Sequence, residues 1–198
     1  MKLYYAPLSP YARKVRACAI TREIDKQITL IEVNPHASPA ELVASNPLSK
    51  VPCLITADGV ALFDSPVICE YLDSIDGVTV LFPPHGGARW RALKQQAMAD
   101  GIMDAAIFRR LEGAKPVEAA RTASMDRQAA AVTRTLAELE HDLPHKAVDI
   151  GTISVACALG YLDIRFAHEP WRDATPRLAA WFAAFSENPG IARTAPQA

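Results

Sequence analysis

Aromatic residues are scarce in this chain, at 7% of 198 residues, and cysteine occurs only four times, at Cys18, Cys53, Cys69 and Cys157. The cysteines are widely spaced, form no Cys-x-x-Cys pair and have no histidine cluster near them. That pattern supports neither a zinc site nor a dithiol redox motif. All four lie among apolar neighbours and read as buried, reduced core residues. No apolar run approaches the roughly 18 residues that a membrane span requires, so no membrane partner is expected. Neither sign of charge is in excess. There are 21 Lys and Arg against 22 Asp and Glu, a formal net charge of −1. Without a block of like charges a nucleic-acid surface is not signalled. The short basic run Arg13-Lys14-Val15-Arg16 reads as the solvated face of a helix. The opening Met1-Lys2-Leu3-Tyr4-Tyr5 lacks an apolar h-region and a small-residue cleavage pattern, so no secretory signal is expected. A reducing cytoplasm suits these features.

What is present is a folding composition. Half of the residues are hydrophobic and 22% are charged, which argues against disorder. The length suits one large domain or two small ones. Short strand and helix signals alternate over the first ~80 residues. Lys2 to Tyr5 reads as a strand, and Ser9-Pro10 opens a helix with Ser as N-cap and Pro at the first position. Gln27 to Val33 is a second strand. Ser38-Pro39-Ala40-Glu41 has the form of a capping box before a short helix. Cys53 to Thr56 and Val60 to Phe63 are brief strands flanking the turn signal Asp58-Gly59. Ser65-Pro66 starts a helix running to about Ser74. The order β-α-β-α-β-β-α predicts a thioredoxin-like domain with a mixed four-stranded sheet, its first two strands parallel and its hairpin antiparallel.

Leu81-Phe82-Pro83-Pro84-His85-Gly86-Gly87 breaks the pattern and reads as a linker. Beyond it the signals are helical throughout. Helices are predicted over Arg89–Leu111, Ala119–Leu143, Asp149–Phe166 and Pro176–Glu187, the last stopped by Asn188-Pro189-Gly190. The strongly apolar Asp149–Phe166 stretch belongs at the centre of an all-α bundle. The expected organisation is a thioredoxin-like domain over residues 1–78, a linker over 79–88 and an all-helical domain over 89–198.

Three local motifs stand in register with this plan. Ser9-Pro10-Tyr11-Ala12-Arg13-Lys14-Val15, Asn46-Pro47-Leu48-Ser49-Lys50-Val51-Pro52 and Leu62-Phe63-Asp64-Ser65-Pro66-Val67-Ile68 resemble motifs of the glutathione S-transferase family. In the second half, Ala99-Asp100-Gly101-Ile102-Met103-Asp104-Ala105 and Val155-Ala156-Cys157-Ala158-Leu159-Gly160-Tyr161-Leu162-Asp163 look like a bacterial subgroup of it. Two positions depart from the family pattern. Ser49 replaces a usual Gly, and Thr152 stands where an Asp is common. Asp149 can still cap the central helix, but Thr152 is expected to weaken the reciprocal half of the capping box.

The resemblance implies a glutathione transferase with glutathione as co-substrate, no metal, a small hydrophobic electrophile or a peroxide as second substrate, and a homodimer. Asp100 or Asp104 would reach the cleft between its subunits. A non-catalytic binding or interaction protein on the same fold is the alternative. The family pattern implies a cis Val51-Pro52 bond that exposes the Val51 backbone to an extended peptide. Ser65, at the start of a helix, would take the γ-glutamyl carboxylate. Asp64 would take the glutamyl amine, and Lys50 the glycyl carboxylate, with His36 as an accessory. Ser9, at the positive end of the first helix, would stabilise the thiolate, with Tyr5 as its rival. Phe108, Tyr161 and Trp171 would line the electrophile pocket.

Overall fold

The computed structural model describes residues 1–196. The first half contains β1 (Lys2–Tyr5), α1 (Pro10–Thr21), β2 (Thr29–Glu32), α2 (Ala40–Ser45), β3 (Cys53–Ile55), β4 (Ala61–Leu62) and α3 (Ser65–Ser74). The strands form one sheet in the order β2-β1-β3-β4. β1 runs parallel to β2, with Leu3 opposite Leu30, and antiparallel to β3, with Leu3 opposite Leu54. β3 pairs antiparallel with β4. This is the mixed four-stranded sheet that the sequence predicts. The β3–β4 connection is a three-residue loop closed by Thr56 N–H donating to the Val60 carbonyl at 2.9 Å. Gly59 takes the left-handed conformation there (φ 87°), which a residue with a Cβ resists.

The second half contains α4 (Gly86–Gly113), α5 (Ala119–His141), α6 (Ile150–Arg165), α7 (Pro176–Phe185) and α8 (Pro189–Ala192). α4 begins inside the stretch that reads as a linker. The segment before it is firmly held, because Asp73 is fully buried and its carboxylate accepts from the N–H groups of Val80, Leu81 and Phe82. The Leu81 carbonyl in turn accepts from Ile150 N at 2.9 Å. Leu81 and Phe82 are therefore core residues. Every residue of α6 from Ile150 to Leu162 is buried, as a central helix requires. Gly151 lets α6 approach α4 closely, since a Cβ there would lie 2.7 Å from the Ala92 carbonyl oxygen. α1 joins the halves, packing on α3 in its own half and on α6 and α8 in the other.

Four local expectations are corrected. Ser38 does not cap α2. It adopts a left-handed conformation (φ 46°) closing the single 3₁₀ turn Pro35–Ala37, and Pro39 becomes the N-cap with no side-chain bond. Thr152 does not weaken the cap of α6. Its hydroxyl accepts from Asp149 N and its own N–H donates to Asp149 Oδ1, both at 2.9 Å, so the box is complete. A threonine hydroxyl supplies the acceptor that a carboxylate would. Asn188-Pro189-Gly190 does not merely stop α7, for Pro189 opens α8. Finally, the basic run on α1 is not solvated. Arg13 is 6% exposed and Lys14 is fully buried. Lys14 Nζ meets Asp100 Oδ1 at 2.6 Å, and Arg13 donates to the Ile191 carbonyl at 3.3 Å. The four cysteines are free and buried, as expected.

Candidate functional site

A cleft of about 1020 Å³ opens where the first half meets the C-terminal ends of α4 and α6. Ser9 stands on its wall, placed by the first turn of α1. Its Oγ accepts from the N–H of Ala12 at 3.2 Å. A serine hydroxyl can accept and donate at once, and Ser9 has no hydrogen-bond acceptor among the described residues, so its proton is available to a ligand. The helix terminus adds partial positive charge at the same point.

The 3₁₀ turn Pro35–Ala37 brings His36 to the same cleft, which Lys50 and Val51 also line. Lys50 is anchored through its backbone, whose carbonyl accepts from Asn46 Nδ2 at 2.9 Å. Asn46 is itself buried. Ser49 in the left-handed conformation (φ 51°) completes this turn, and its hydroxyl donates to the Pro35 carbonyl at 3.1 Å. A serine thus fills the departure from the family's glycine and ties the Lys50 loop to the His36 turn. The Val51-Pro52 peptide is cis, as expected, and Pro52 is buried behind Val51.

Ser9, His36, Lys50 and Val51 therefore share one cleft, while Asp64 and Ser65 lie beyond its wall. They sit at the N-terminus of α3, where Asp64 is the N-cap but makes no side-chain bond to its own helix. Among the described residues its carboxylate has no hydrogen-bond donor. Val51 and Phe63 pack on the same small cluster of Tyr4, Leu42 and Cys53, which sets this helix start beside the cis-proline turn. Tyr5 is not on the cleft. Its hydroxyl lies 3.5 Å from Glu32 Oε2 and its ring lies under the Arg16 guanidinium at 5.4 Å.

Of the three aromatics expected on the far wall, Phe108 and Tyr161 line the cleft with Ile107 and Leu111. Trp171 does not. Its indole N–H donates to Asp163 at 2.9 Å and its ring packs on Phe182. Residues that sequence reasoning left without a role also appear. Tyr11 lines the cleft and its hydroxyl donates to Asp104 on α4. Burial first, and then this bond, push the Tyr11 phenol far above its usual range, so it stays protonated. Asp100 is pushed up by burial, which Lys14 opposes, and it feels the charges of Asp104 and Asp64. The one available signal for Tyr11 was its place inside the Ser9–Val15 motif. Among the described residues no group of three potential ligands could hold a metal, and no helix is long and apolar enough to cross a membrane.

A thioredoxin-like sheet half joined to a helical half, with Ser9 at the head of α1 and the cis-proline loop on one cleft, defines the class of fold. The chain belongs to the glutathione S-transferase family. Residues 8–75 match the glutathione S-transferase N-terminal domain and residues 122–184 the C-terminal domain. It is 32% identical to the GST-like protein YibF of Escherichia coli K12, over 99% of this chain and 98% of that protein. Among solved structures it is similar to a glutathione transferase family member from Pseudomonas fluorescens Pf-5 with bound glutathione. The TM-score is 0.92, with 39% identity over 100% of this chain and 99% of that one. A glutathione S-transferase from Methylobacillus flagellatus KT, also with glutathione bound, gives a TM-score of 0.90 and 36% identity, with 99% of each chain covered.

Proposed function

We propose that this chain is a glutathione transferase. It binds glutathione along the cleft and activates its thiolate for attack on a small electrophile or a peroxide. The observation that carries this reading is Ser9, which caps α1 with its oxygen while its hydroxyl proton remains free at the cleft. A free thiol with a pKa of about 8.5 is only a few per cent ionised at neutral pH. A hydroxyl donor at a helix N-terminus favours the thiolate. The γ-glutamyl carboxylate then takes the Ser65 end of α3 and the amine takes Asp64. The peptide pairs with the Val51 backbone, and the glycyl carboxylate lies near Lys50 and His36. The relatives solved with bound glutathione support glutathione as the ligand.

In conjugation the sulfur attacks an electrophilic carbon held against Phe108 and Tyr161. A carbon–sulfur bond forms, and the leaving group departs with its electron pair. We place the protein in the cytoplasm as a homodimer. The 68% exposure of Trp90 on α4 and the exposure of Val67 on α3 support an interface there. Sedimentation as a monomer at micromolar concentration would contradict that. Glutathione binding measured by calorimetry beside conjugation assays with several electrophiles tests the whole reading. Binding with turnover is expected, and binding without turnover would favour the non-catalytic alternative.

A further inference from the structure

Two guanidinium groups on the helical wall of the cleft have no use in the glutathione assignment. Arg110, in the last turn of α4, and Arg165, in the last turn of α6, both line the cleft beside Ile107, Phe108 and Tyr161. Neither is paired with a carboxylate among the described residues, and the Nε of Arg165 is shielded from solvent without a hydrogen-bond partner there. A buried donor left unmade is costly, so a partner for it in the working state is favoured.

The neighbouring residues lock this end of the cleft. Arg109 donates to both oxygens of Glu169 at 3.0 and 2.5 Å and stacks on Phe166 with its guanidinium carbon 4.6 Å from the ring centroid. The helix ends that carry Arg110 and Arg165 are thereby held together. The two carboxylates on the cleft lie elsewhere, Asp104 against the Tyr11 hydroxyl and Glu32 beside Tyr5.

We infer that the second substrate carries a carboxylate attached to an apolar or aromatic body, with Arg165 and Arg110 holding the carboxylate and Phe108 and Ile107 the body. This rests on the glutathione reading above. A guanidinium matches a carboxylate with two parallel N–H···O bonds, whereas the same groups reject a neutral apolar molecule by remaining unpaired. Arg165 also lies where a cation complements the α6 dipole. That role alone would stabilise the fold without discriminating between ligands.

The test uses two preformed conjugates, S-(para-carboxybenzyl)glutathione and its neutral carboxamide, titrated by calorimetry into the full chain. The acid should bind about tenfold tighter, the scale of one charge-assisted hydrogen bond. In Arg165→Met and Arg110→Gln the two affinities should converge, and Arg165→Lys should restore only part of the difference. Arg110 is exposed, so its variant reads the selectivity even if Arg165→Met fails to fold. Turnover of para-(chloromethyl)benzoate against para-(chloromethyl)benzamide, in which sulfur displaces chloride, should show the same preference in kcat/KM. Equal affinity of the wild-type chain for both conjugates overturns the carboxylate assignment while leaving glutathione binding intact. Binding of neither conjugate overturns this inference alone if reduced glutathione still titrates, and overturns the glutathione reading with it if reduced glutathione does not.

Discussion

Replacing Ser9 by alanine separates two effects that the structure joins at one oxygen. The first is structural. Ser9 Oγ caps α1 through Ala12 N at 3.2 Å, and losing such a cap costs about 1 kcal/mol. The second is chemical. A hydrogen bond from Ser9 to a thiolate is of the charge-assisted kind, worth about 1.5–3 kcal/mol. One pKa unit corresponds to 1.36 kcal/mol. Ser9→Ala should therefore raise the pKa of bound glutathione by about one unit or more and lower kcat/KM near neutral pH about tenfold. Activity should not vanish, because the N-terminus of α1 still offers its dipole. The ultraviolet absorbance of the bound thiolate, titrated against pH, reads the pKa directly. Ser9→Thr keeps the hydroxyl and should stay near wild type. Tyr5→Phe should do little, because Tyr5 itself does not line the cleft and its hydroxyl and ring are taken up by Glu32 and Arg16. Ser9→Cys should exchange conjugation for thiol–disulfide exchange and trap glutathione as a mixed disulfide visible by mass spectrometry. An unchanged thiol pKa in Ser9→Ala together with a raised one in Tyr5→Phe would refute the assignment.

The other predictions concern the frame that holds the site. Asp100→Leu strands the fully buried Lys14 ammonium and should cost about 3–5 kcal/mol in urea melts, with Lys14→Met in the same chain recovering most of the loss. A loss in the double variant equal to the sum of the two single losses would show that the pair is not coupled. Thr152→Val removes the reciprocal half of the α6 cap and should cost about 1 kcal/mol in the same melts. Gly160→Ala puts a methyl group into the Arg13 guanidinium, and a calorimetric melt should report a loss of about 1–3 kcal/mol. Arg109 holds the Glu169 carboxyl below its usual value, chiefly through their hydrogen bond. The clamp's contribution is therefore present above the unfolded carboxyl pKa of about 4.3 and is lost as pH falls through the lowered folded value. Unfolding of Glu169→Gln should differ from wild type at neutral pH, by less than about 1 kcal/mol for so exposed a pair, and converge with it in acid.

The fold was legible wherever the information is local. Pro in the first turn marked α1 and α3, Asp58-Gly59 marked the hairpin, and a strongly apolar composition marked α6 as central. Long-range pairing was not legible. Lys14 reads as a surface lysine because its partner Asp100 lies 86 residues away, and no charge pattern within α1 announces it. Arg13 is buried for the same reason, since its partners come from the distant segment around Ile191. Ser38 was misread because Pro35, three residues earlier, nucleates a 3₁₀ turn that competes for the backbone a capping box needs. Thr152 was undervalued because rank tables favour a carboxylate, although a hydroxyl in the same geometry satisfies the same N–H. Within the site, Ser9, Lys50 and Val51 from the motifs and His36 from the loop before α2 line one cleft, whereas Pro52, Asp64 and Ser65 do not. Tyr11, Arg110 and Arg165 were missed because cleft exposure of a helical side chain depends on the tilt of α4 and α6 against the sheet half, which sequence periodicity does not encode.

Titration of the intact chain with reduced glutathione, measured by calorimetry for wild type and Ser65→Ala, tests the central claim most directly. Saturable binding is expected for wild type, weakened by about 1–3 kcal/mol when the Ser65 hydroxyl is removed from a buried carboxylate. No heat of binding up to millimolar glutathione would contradict the account, and an unchanged affinity in Ser65→Ala would remove the start of α3 from the site.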